Sequence, residues 1–339
     1  MKLKFGVIGP HHGHIYAMID GLLKTGRAEC VSFFAGTPDS ERQMLKCFPF
    51  AESAPAEEKV LGNPDLQLIC SADVNDRRGA LAIRAMQAGK DFLVDKPGVI
   101  SLSQLEEIER VQRHTGRLWF VWYGERLMDP CSRRAVDIVR AGMLGRIVNV
   151  IGLGPHKLTL HRRPDWMFRP DSYGGILTDL GIHSLDMFVQ LAGPAWSVLQ
   201  SRTGNFGTSQ YPRFEDFGDM TLSHSDGCTG YIRVDWLTPD AMPTYGDQRF
   251  IITGTHGMIE LRKTLDLAVD NHRFTGQQLI FATQDQEPHR IDCSGKTTFY
   301  EELIQDVHDR VNRCVPHSLS FAATRLALDA QQRASHLST

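Results

Sequence analysis

Residues 4–14 read Lys-Phe-Gly-Val-Ile-Gly-Pro-His-His-Gly-His, a short apolar run that passes through a glycine into a helical pattern. The run Lys4–Ile8 predicts a buried strand, and the spacing over Ile15–Thr25 predicts a helix that ends near Gly26. A glycine at such a junction lets a backbone approach a phosphate, and the helix N-terminus supplies N–H donors. The stretch therefore predicts the first strand–loop–helix unit of a parallel α/β domain.

The same alternation of apolar runs and amphipathic segments continues to about residue 123. Further strands are predicted over Cys30–Phe34, Leu66–Cys70, Asp91–Val94 and Leu118–Tyr123, and further helices over Arg77–Ala88 and Leu102–Thr115. The breaker Gly36-Thr37-Pro38 follows the second strand. Buried strands that alternate with helices are typical of a doubly wound parallel sheet with both faces covered. We therefore expect a Rossmann-type dinucleotide-binding domain over residues 1–123.

The pattern changes after residue 123. It predicts a helix over Cys131–Ala141, a strand over Arg146–Gly152, a long loop over Pro155–Gly174, a helix from Gly175 to Leu191, strands over Thr229–Trp236, Gln248–Thr253, Met258–Leu261 and Gln278–Ala282, and helices over Phe299–Arg313 and Ser320–Arg333. Strand-like runs that alternate with turns indicate an open, mostly antiparallel sheet. We expect residues 124–339 to form an α+β domain for substrate binding and oligomerisation, whose C-terminal helices are free to pack back on the first domain.

Composition narrows the class of protein. A chain of 339 residues with 42% hydrophobic and 23% charged residues suits two ordinary globular domains. A net charge of −3 makes nucleic acid and anionic membrane poor partners. No apolar stretch has the length of a signal-peptide core or a membrane span, and the seven cysteines never form a CxxC pair. We therefore expect a cytoplasmic protein with reduced thiols.

The loop after the first strand is the first candidate cofactor site. Ligands of open parallel sheets bind beyond the carboxyl ends of the strands, where the strand order reverses. We expect Gly9, His11, His12, Gly13 and His14 to contact a dinucleotide there. Read as a GxGxxG motif, the loop has glycine only at its first position, because His11 and His14 occupy the other two.

The end of the second strand lacks the acidic residue that usually binds the adenosine ribose. Gly36, Thr37 and Arg42 stand in this region. Thr37 suits a 2′-hydroxyl and Arg42 suits a 2′-phosphate, so the choice between NAD and NADP stays open.

Three histidines at positions 11, 12 and 14 also suggest a metal site. Their spacing is too tight for all three to reach one ion without a distorted turn, and we expect no carboxylate nearby. We therefore expect no metal, and a polar loop in which one imidazole contacts phosphate.

The stretch Asp95-Lys96-Pro97 ends the strand that begins at Asp91. A lysine at the carboxyl end of such a strand points towards the ligand crevice, and the proline favours an extended backbone before it. Ser71 holds the corresponding position after the preceding strand, and we expect Ser71, Asp95, Lys96 and Pro97 to contact the cofactor. A surface lysine at a strand exit is the alternative interpretation.

The segment from Tyr173 to Asp186 predicts the catalytic helix. Asp179, His183 and Asp186 are spaced i, i+4 and i+7, so they share one helix face, and Gly181 leaves room for a ligand or a backbone. Alcohol oxidation needs a base for the hydroxyl proton and a group that stabilises the alkoxide. Lys96 and His183 suit these two roles in either order, while Asp179 is expected to bind a neighbouring substrate hydroxyl and Asp186 to orient the imidazole. A solvated polar face, or a histidine held by Asp186 in the core, is the alternative.

These motifs together resemble the Gfo/Idh/MocA family, the group of glucose–fructose oxidoreductase and inositol dehydrogenase. The stretch Asp95-Lys96-Pro97 resembles its Glu-Lys-Pro motif, and the stretch from Gly174 to Asp186 resembles its Gly-Gly…Asp-x-Gly-x-His-x-x-Asp motif. Ala141–Ile147 matches the family's helix-to-strand crossover, and Ile252–Ile259 resembles its late Gly-x-x-Gly strand turn. The departures are the histidine-filled glycine loop, Asp95 for Glu, and Val74 and Arg78 where Pro and His are usual.

The resemblance implies a Rossmann domain, an open-sheet substrate domain, and pairing through that sheet into a homodimer or homotetramer. It implies catalytic Lys96 and His183, substrate-binding Asp179, and Asn75 beside the nicotinamide. We also expect His156, Arg163 and Trp166, on the loop before the catalytic helix, to bind a polyhydroxylated substrate. For Trp166 and Phe168 hinge packing is an equal alternative.

The expected activity is NAD(P)-dependent hydride transfer at a hydroxyl or carbonyl carbon of a sugar, polyol or sugar-acid-like substrate. Two alternatives remain. One is a redox-neutral enzyme that oxidises its substrate transiently for epimerisation, elimination or glycoside cleavage. The other is a non-catalytic, sugar-binding or regulatory relative that has lost the cofactor.

Overall fold

The computed structural model of the chain describes residues 2–264 and 277–337, which fold as two compact units. The first unit runs to Trp122 and also takes in Thr298–Phe321. The second unit begins at Tyr123, ends at Thr297, and resumes at Ala322.

A six-stranded parallel sheet forms the centre of the first unit. Its strands are β1 Leu3–Ile8, β2 Ala28–Phe34, β3 Glu52–Ser53, β4 Leu68–Ser71, β5 Asp91–Asp95 and β6 Trp119–Trp122. They lie in the order β3-β2-β1-β4-β5-β6, and every pair is parallel. The strand order reverses between β1 and β4, which confirms the predicted doubly wound class.

Helices join these strands. They are α1 His14–Lys24, α2 Pro38–Cys47, α3 Glu57–Leu61, α4 Asn75–Gln87 and α5 Leu102–Thr115. Crossovers between parallel strands are right-handed, so α1 and α2 cover one face of the sheet while α4 and α5 cover the other. Every residue of β4, β5 and β6 is buried, as expected for strands with both faces covered.

The stretch Gly36-Thr37-Pro38 begins a helix, which corrects its interpretation as a simple breaker. The Thr37 side chain accepts a hydrogen bond from the Ser40 N–H at 3.3 Å, and Pro38 takes the first helical position. A threonine cap followed by proline is a favourable helix start, because proline's missing N–H has no intrahelical partner there.

The second unit is built on a nine-stranded mixed sheet. The strands are β7 Ile147–Pro155, β8 Trp196–Gly204, β9 Phe217–His224, β10 Thr229–Asp235, β11 Arg249–Gly254, β12 Gly257–Arg262, β13 Gln278–Thr283, β14 His289–Ile291 and β15 Ser335–His336. The order is β14-β13-β12-β11-β7-β10-β9-β8-β15. Two of these pairs are parallel, β7 with β10 and β8 with β15, and the others are antiparallel. The predicted open, mostly antiparallel sheet is confirmed, although the separate strands β8 and β9 were not predicted.

The remaining helices are α6 Gly124–Leu127, α7 Pro130–Arg140, α8 Pro170–Tyr173, α9 Ile182–Ala192, α10 Phe299–Asp309 and α11 His317–Arg333. The predicted helix from Gly175 to Leu191 is divided, because a π-helical turn over Leu177–Gly181 precedes α9. α9 packs against α7 and β7, and its residues from Ile182 to Leu191 are all buried.

Gly181 lies at the junction of the π turn and α9. A Cβ on this residue would lie 3.0 Å from Cε of Met220. The space that glycine leaves here is therefore taken by a protein side chain, which corrects the expectation of room for a ligand or a backbone.

Across residues 2–264 and 277–337, none of the helices combines the length and the apolar character that a membrane span requires.

Candidate active-site residues

The carboxyl ends of β1, β2 and β4 bring three loops of the first unit together. The His12 N–H donates to the Ala72 carbonyl after β4 at 2.9 Å, and the Gly9 N–H donates to the Phe34 carbonyl on β2 at 3.0 Å. The loop after β1 is therefore tied to both neighbouring strands. These loops border the point where the strand order reverses, which is the expected ligand position of a doubly wound sheet.

Gly9 is the glycine of this loop that the backbone requires. Its φ is +67°, and a Cβ would lie 2.5 Å from the side chain of Asp73. Gly13 has an ordinary helical φ of −59°, and a Cβ there would have no neighbouring atom within 4 Å. The first glycine of the motif is thus kept for backbone geometry.

A buried carboxylate organises the histidines of the loop. His14 Nδ1 lies 2.9 Å from Oδ1 of Asp95, and His12 Nδ1 lies 3.2 Å from Oδ2 of the same residue. Asp95 also pairs with Arg78 Nη2 at 3.3 Å, and both side chains are almost fully buried. The expectation that no carboxylate lies near the histidines was wrong, because Asp95 reaches them from the end of β5.

Arg78 fixes the backbone that carries the candidate catalytic lysine. Its Nη1 donates to the carbonyls of Asp95, Lys96 and Pro97 at 3.0, 2.7 and 3.0 Å, and its Nε donates to the Asp73 carbonyl at 2.7 Å. The guanidinium therefore holds the turn after β5 against the loop after β4. The Lys96–Pro97 peptide bond in this turn is cis.

The pKa values of Asp95 and His12 follow from their burial and from the charges around them. Burial alone would raise the pKa of Asp95, but His14, Arg78 and His12 hold it well below its ordinary value. Burial lowers the pKa of His12 to about 4, and repulsion from His14 and Lys96 adds to this, so its imidazole is neutral at pH 7. A neutral His12 has a single ring N–H, which faces the Asp95 carboxylate through Nδ1.

The ligand atoms of His12, His14 and Asp95 lie within 4.8 Å of one another, a spacing compatible with a metal ion. Arg78 and Lys96 place positive charge against the same group. A divalent cation would add to that charge with only one carboxylate to balance it, whereas an anionic ligand would be attracted. The cluster therefore suits a phosphate better than a metal.

The end of β2 joins the same network. His11 Nδ1 lies 3.3 Å from Ser40 Oγ, and His11 Nε2 lies 3.6 Å from Oδ1 of Asp73. Gly36 has a φ of +74°, and a Cβ there would lie 3.4 Å from the His11 ring.

A cavity of about 330 Å³ opens between the ends of β1, β2 and β4, lined among others by Gly9, His11, Gly36, Asp73, Arg77 and Leu81. Arg42 points elsewhere along α2, where it forms an exposed ion pair with Asp39. Arg77 and Arg84, rather than Arg42, are the arginines among its lining residues.

The remaining predicted cofactor residues lie on the same sheet edge. Ser71 is fully buried at the end of β4, and its Oγ accepts from the Asp73 N–H at 3.2 Å. Asn75 is buried at the first position of α4. Lys96 is buried directly after β5.

In the second unit, His183 on α9 lies near His156, which contacts Glu125. The His156 ring at the end of β7 lies parallel to that of His183, at a centroid distance of 6.5 Å. His156 Nε2 is 2.9 Å from Oε1 of Glu125, and His156 Nδ1 is 3.0 Å from the Gly154 carbonyl. Both nitrogens of this imidazole therefore face oxygen atoms.

Glu125, at the start of α6, balances the charge around the two histidines. Burial alone would raise its pKa, but His183, Lys263 and His156 hold that pKa well below its ordinary value. Lys263 is itself buried, and its ammonium donates to the Glu125 carbonyl and lies 3.8 and 3.9 Å from the carboxylates of Glu125 and Asp129. His183 thus shares a buried environment with an ionised carboxylate and two basic groups.

Asp179 lies in the π-helical turn and belongs to a hydrogen-bonded series. The Trp236 Nε1–H donates to the Tyr173 hydroxyl at 3.0 Å, and the Tyr173 hydroxyl in turn hydrogen-bonds Asp179. Burial and the neighbouring Asp179 carboxylate raise the pKa of Tyr173, so the phenol keeps its proton. Tyr173 therefore orients the carboxylate that we expect to bind substrate.

Arg163 packs against the aromatic rings of Trp236 and Tyr245. Its guanidinium carbon lies 4.7 Å from the Trp236 ring centroid and 5.8 Å from that of Tyr245. The His156 ring meets the same two aromatic rings edge to face, at 5.6 and 5.5 Å. Burial lowers the pKa of Arg163, and attraction to Asp179 opposes the shift.

Asp186, on α9, accepts two hydrogen bonds from Arg126 of α6, at 2.5 Å from Nε and 3.0 Å from Nη2. Both of its carboxylate oxygens thus face a buried guanidinium, although we expected this residue to orient His183. The pair joins α6 to α9 and fixes the helix on which His183 stands.

Trp166 lies in a short 3₁₀ turn over Asp165–Phe168. Among the described residues no ring contact connects it with the His156 and Trp236 group. Its neighbour Phe168 stacks on Tyr211 at 3.9 Å and approaches Phe214, which favours the packing interpretation for this part of the loop.

Sequence reasoning missed Glu125, Lys263, Trp236 and Tyr245. Glu125 had a usable signal in the sequence, because it lies three residues after the end of the buried strand β6. The other three lie in a region predicted only as alternating strands and turns, where position along the chain does not reveal spatial neighbours.

Comparison with known proteins gives consistent findings. A family model described as the GFO/IDH/MocA C-terminal domain matches residues 132–260. A solved structure described as an oxidoreductase from Erwinia carotovora atroseptica SCRI1043 is 34% identical, with a TM-score of 0.94 over 99% of this chain and 100% of that chain. The similarity extends over both units.

Two curated relatives carry more specific names. The D-xylose dehydrogenase of Paenarthrobacter nicotinovorans is 24% identical over 234 residues, which is 64% of this chain and 59% of the relative. The scyllo-inositol 2-dehydrogenase (NAD(+)) of Bacillus subtilis strain 168 is 26% identical over 207 residues, 59% of this chain and 56% of the relative. The chain thus aligns with less than two thirds of the length of these relatives.

Proposed function

This chain belongs to the Gfo/Idh/MocA family, and on that premise we propose that it is an NAD(P)-dependent oxidoreductase acting on a sugar, polyol or sugar-acid-like substrate. It transfers hydride between the nicotinamide and a hydroxyl-bearing carbon. The names of the two dehydrogenase relatives, whose substrates are a pentose and a cyclic polyol, support this class of substrate.

The observation that carries the proposal is the group of side chains around His183. An imidazole, an oriented carboxylate at Asp179 and the aromatic ring of Trp236 belong to one connected set. An imidazole takes up a hydroxyl proton near neutral pH, a carboxylate accepts hydrogen bonds from adjacent hydroxyls, and an aromatic face suits the C–H surface of a sugar. This is the equipment that oxidation of a polyhydroxylated substrate needs.

The first unit fits a dinucleotide. The glycine-lined cavity of about 330 Å³ has the position of the adenosine half, and the His12, His14 and Asp95 cluster at the start of α1 suits the pyrophosphate. Lys96, Ser71 and Asn75 follow the strands next to it. When bound, the nicotinamide supplies the hydride acceptor or donor.

We propose catalytic roles for Lys96 of the first unit and His183 of the second unit. One of them takes the hydroxyl proton and the other stabilises the alkoxide, while Asp179 holds a neighbouring hydroxyl. Residues 1–123 would then serve the cofactor, and residues 124–339 the substrate and subunit pairing. Exposed apolar side chains on the open sheet, such as Leu199 and Met258, support pairing through that sheet.

Single substitutions test these roles. We expect Lys96→Ala and His183→Ala each to lower kcat by at least about 10²-fold, since general acid–base groups contribute about 10²–10⁴-fold. The assay follows NADH or NADPH absorbance with a panel of sugars, polyols and sugar acids. Cofactor binding, measured by fluorescence titration, should persist in His183→Ala.

The matched controls are Lys59→Ala and His161→Ala, which remove an exposed lysine and an exposed histidine from the same two units. They should keep wild-type turnover. Full turnover of the Lys96→Ala and His183→Ala double variant would contradict the catalytic roles. Failure of the wild-type protein to bind either NAD(H) or NADP(H) would contradict the proposed function itself.

A further inference from the structure

The half-buried Arg163 carries a positive charge that no ion pair neutralises within the described residues. Within residues 2–264 and 277–337, no carboxylate forms an ion pair with its guanidinium. The other half-buried or buried arginines discussed above have one, since Arg78 pairs with Asp95 and Arg126 pairs with Asp186. A partly desolvated charge with no carboxylate in ion-pair contact is costly, which favours a ligand that supplies such an anion.

The guanidinium is held rigidly by the loop and the aromatic rings. Its Nε donates to the Leu158 carbonyl at 2.7 Å, and its Nη2 donates to the Lys157 carbonyl at 3.2 Å and to the Tyr245 hydroxyl. Its plane is further restrained by Trp236, 4.7 Å below the guanidinium carbon. A donor fixed in this way loses little conformational entropy when it binds an anion.

These contacts leave a defined set of donors. Among the described residues Nη1 has no hydrogen-bond partner, so its two N–H groups are available. The Tyr245 hydroxyl accepts from Nη2, and its own proton is available for a second acceptor. Two adjacent donors, one of them charged, match the two oxygens of a carboxylate.

The charged and polar groups around Arg163 limit what binds there. Asp179 is the carboxylate whose charge acts on it, and Tyr173 hydrogen-bonds that same carboxylate. His156 lies against the same two aromatic rings, with Glu125 on its far nitrogen. One guanidinium near one carboxylate suits a monoanion better than a doubly charged phosphate.

We propose that the substrate is a polyhydroxylated carboxylate, a sugar acid, and that its carboxylate binds Nη1 of Arg163 and the hydroxyl of Tyr245. The inference rests on the proposed function and narrows its substrate class. Since the carboxylate is bound equally before and during hydride transfer, Arg163 contributes to KM rather than to kcat.

The experiment compares acids with neutral compounds of matched hydroxyl configuration. The pairs are D-gluconate with D-glucitol, D-galactonate with galactitol, and D-glucuronate with D-glucose; D-glucose 6-phosphate is added as a phosphate probe. Each is tested for NAD or NADP reduction and for a shift of the melting temperature of the whole protein. We expect at least one acid to exceed its neutral partner in kcat/KM by about tenfold or more, through KM.

Substitutions of Arg163 test whether this residue causes the preference for acids over neutral compounds. In Arg163→Gln the ratio of acid to neutral kcat/KM should fall towards one, and Arg163→Lys, which keeps the charge but not the fork, should retain part of it. The matched control is Arg162→Gln, an exposed arginine one position earlier, which should keep the full preference. If Arg163→Gln does not fold, the intermediate preference of Arg163→Lys still tests the assignment.

The outcomes separate this inference from the proposed function. Equal or better turnover of the neutral compounds or of the phosphate, or an undiminished acid preference in Arg163→Gln, overturns the sugar-acid inference and leaves the oxidoreductase proposal standing. Acids that stabilise the wild-type protein but not Arg163→Gln, with no reduction of NAD or NADP by any compound, support the carboxylate site and overturn the redox function.

Discussion

Replacement of Asp95 by asparagine tests whether one buried carboxylate organises the cofactor side of the first unit. Asp95 is fully buried and lies 3.3 Å from Arg78, which is almost as buried. At that distance and an effective dielectric constant of about 20, the lost attraction is on the order of 5 kcal/mol. Removal of one partner of a buried pair typically costs about 3–5 kcal/mol. We therefore expect Asp95→Asn to lose about 3–5 kcal/mol of unfolding free energy at pH 7.

The stability difference between wild type and Asp95→Asn should depend on pH in a direction that follows from the lowered pKa of Asp95. The pKa of Asp95 is held below its ordinary value of 3.8, so the ionised form stabilises the folded unit. That stabilisation is fully present above the unfolded-state pKa and is lost as the pH falls through the lower folded-state pKa. The difference between wild type and Asp95→Asn should therefore be constant from pH 6 to 8 and shrink below about pH 4.

Urea denaturation at several pH values measures the free energy, and amide hydrogen exchange in β4 and β5 localises it to the first unit. The control is Asp65→Asn, which removes the exposed partner of Lys4 and should leave the unfolding midpoint unchanged. A loss of less than about 1 kcal/mol in Asp95→Asn at pH 7, or a difference that does not change with acidification, would refute the reasoning.

Three further substitutions test other contacts. Gly9→Ala should cost at least about 1–2 kcal/mol of stability, because φ is +67° and the new Cβ would lie 2.5 Å from a neighbouring side chain, whereas Gly13→Ala should cost much less; equal urea midpoints would contradict this. Arg126→Met should lose about 3–5 kcal/mol by leaving the Asp186 carboxylate buried and unpaired, and the double variant with Asp186→Leu should recover much of the loss in the same unfolding assay. Glu125→Gln should move the acid limb of the kcat/KM profile to lower pH, because the Glu125 carboxylate favours the protonated form of the His183 imidazole. An acid limb that does not move would exclude this interaction between Glu125 and His183.

The sequence predicted the parallel sheet well because its strands are continuous apolar runs. The runs that became β4 and β5 are buried on both faces, so they lack polar alternation and are easily recognised. Helix α2 was missed because Gly36 and Pro38 were read as breakers, although Thr37 caps the helix and Pro38 begins it. Strands β8 and β9 were missed as separate elements because they lie in a mixed sheet whose pairing partners are set by tertiary contacts.

In the candidate site, too, some features were predicted from the sequence and others were not. Lys96 and His183 were found from motifs that are contiguous in the chain, and their shared role stays a prediction. The π-helical turn before α9 changes the angular offset of Asp179, so a face drawn with 3.6 residues per turn did not describe the three polar residues of this segment. Asp179 is paired with Tyr173, and Asp186 with Arg126.

By itself, the sequence determined the fold class, because periodicity and strand-exit glycines are local properties, and it predicted the chain positions of cofactor and substrate residues. Only the tertiary structure decided which charges meet. Asp95 joins His14 across 81 positions, and Lys263 reaches Glu125 across 138. A charge chooses its partner by distance in space and by the exclusion of water around it, and neither quantity is written in the spacing of residues along one chain.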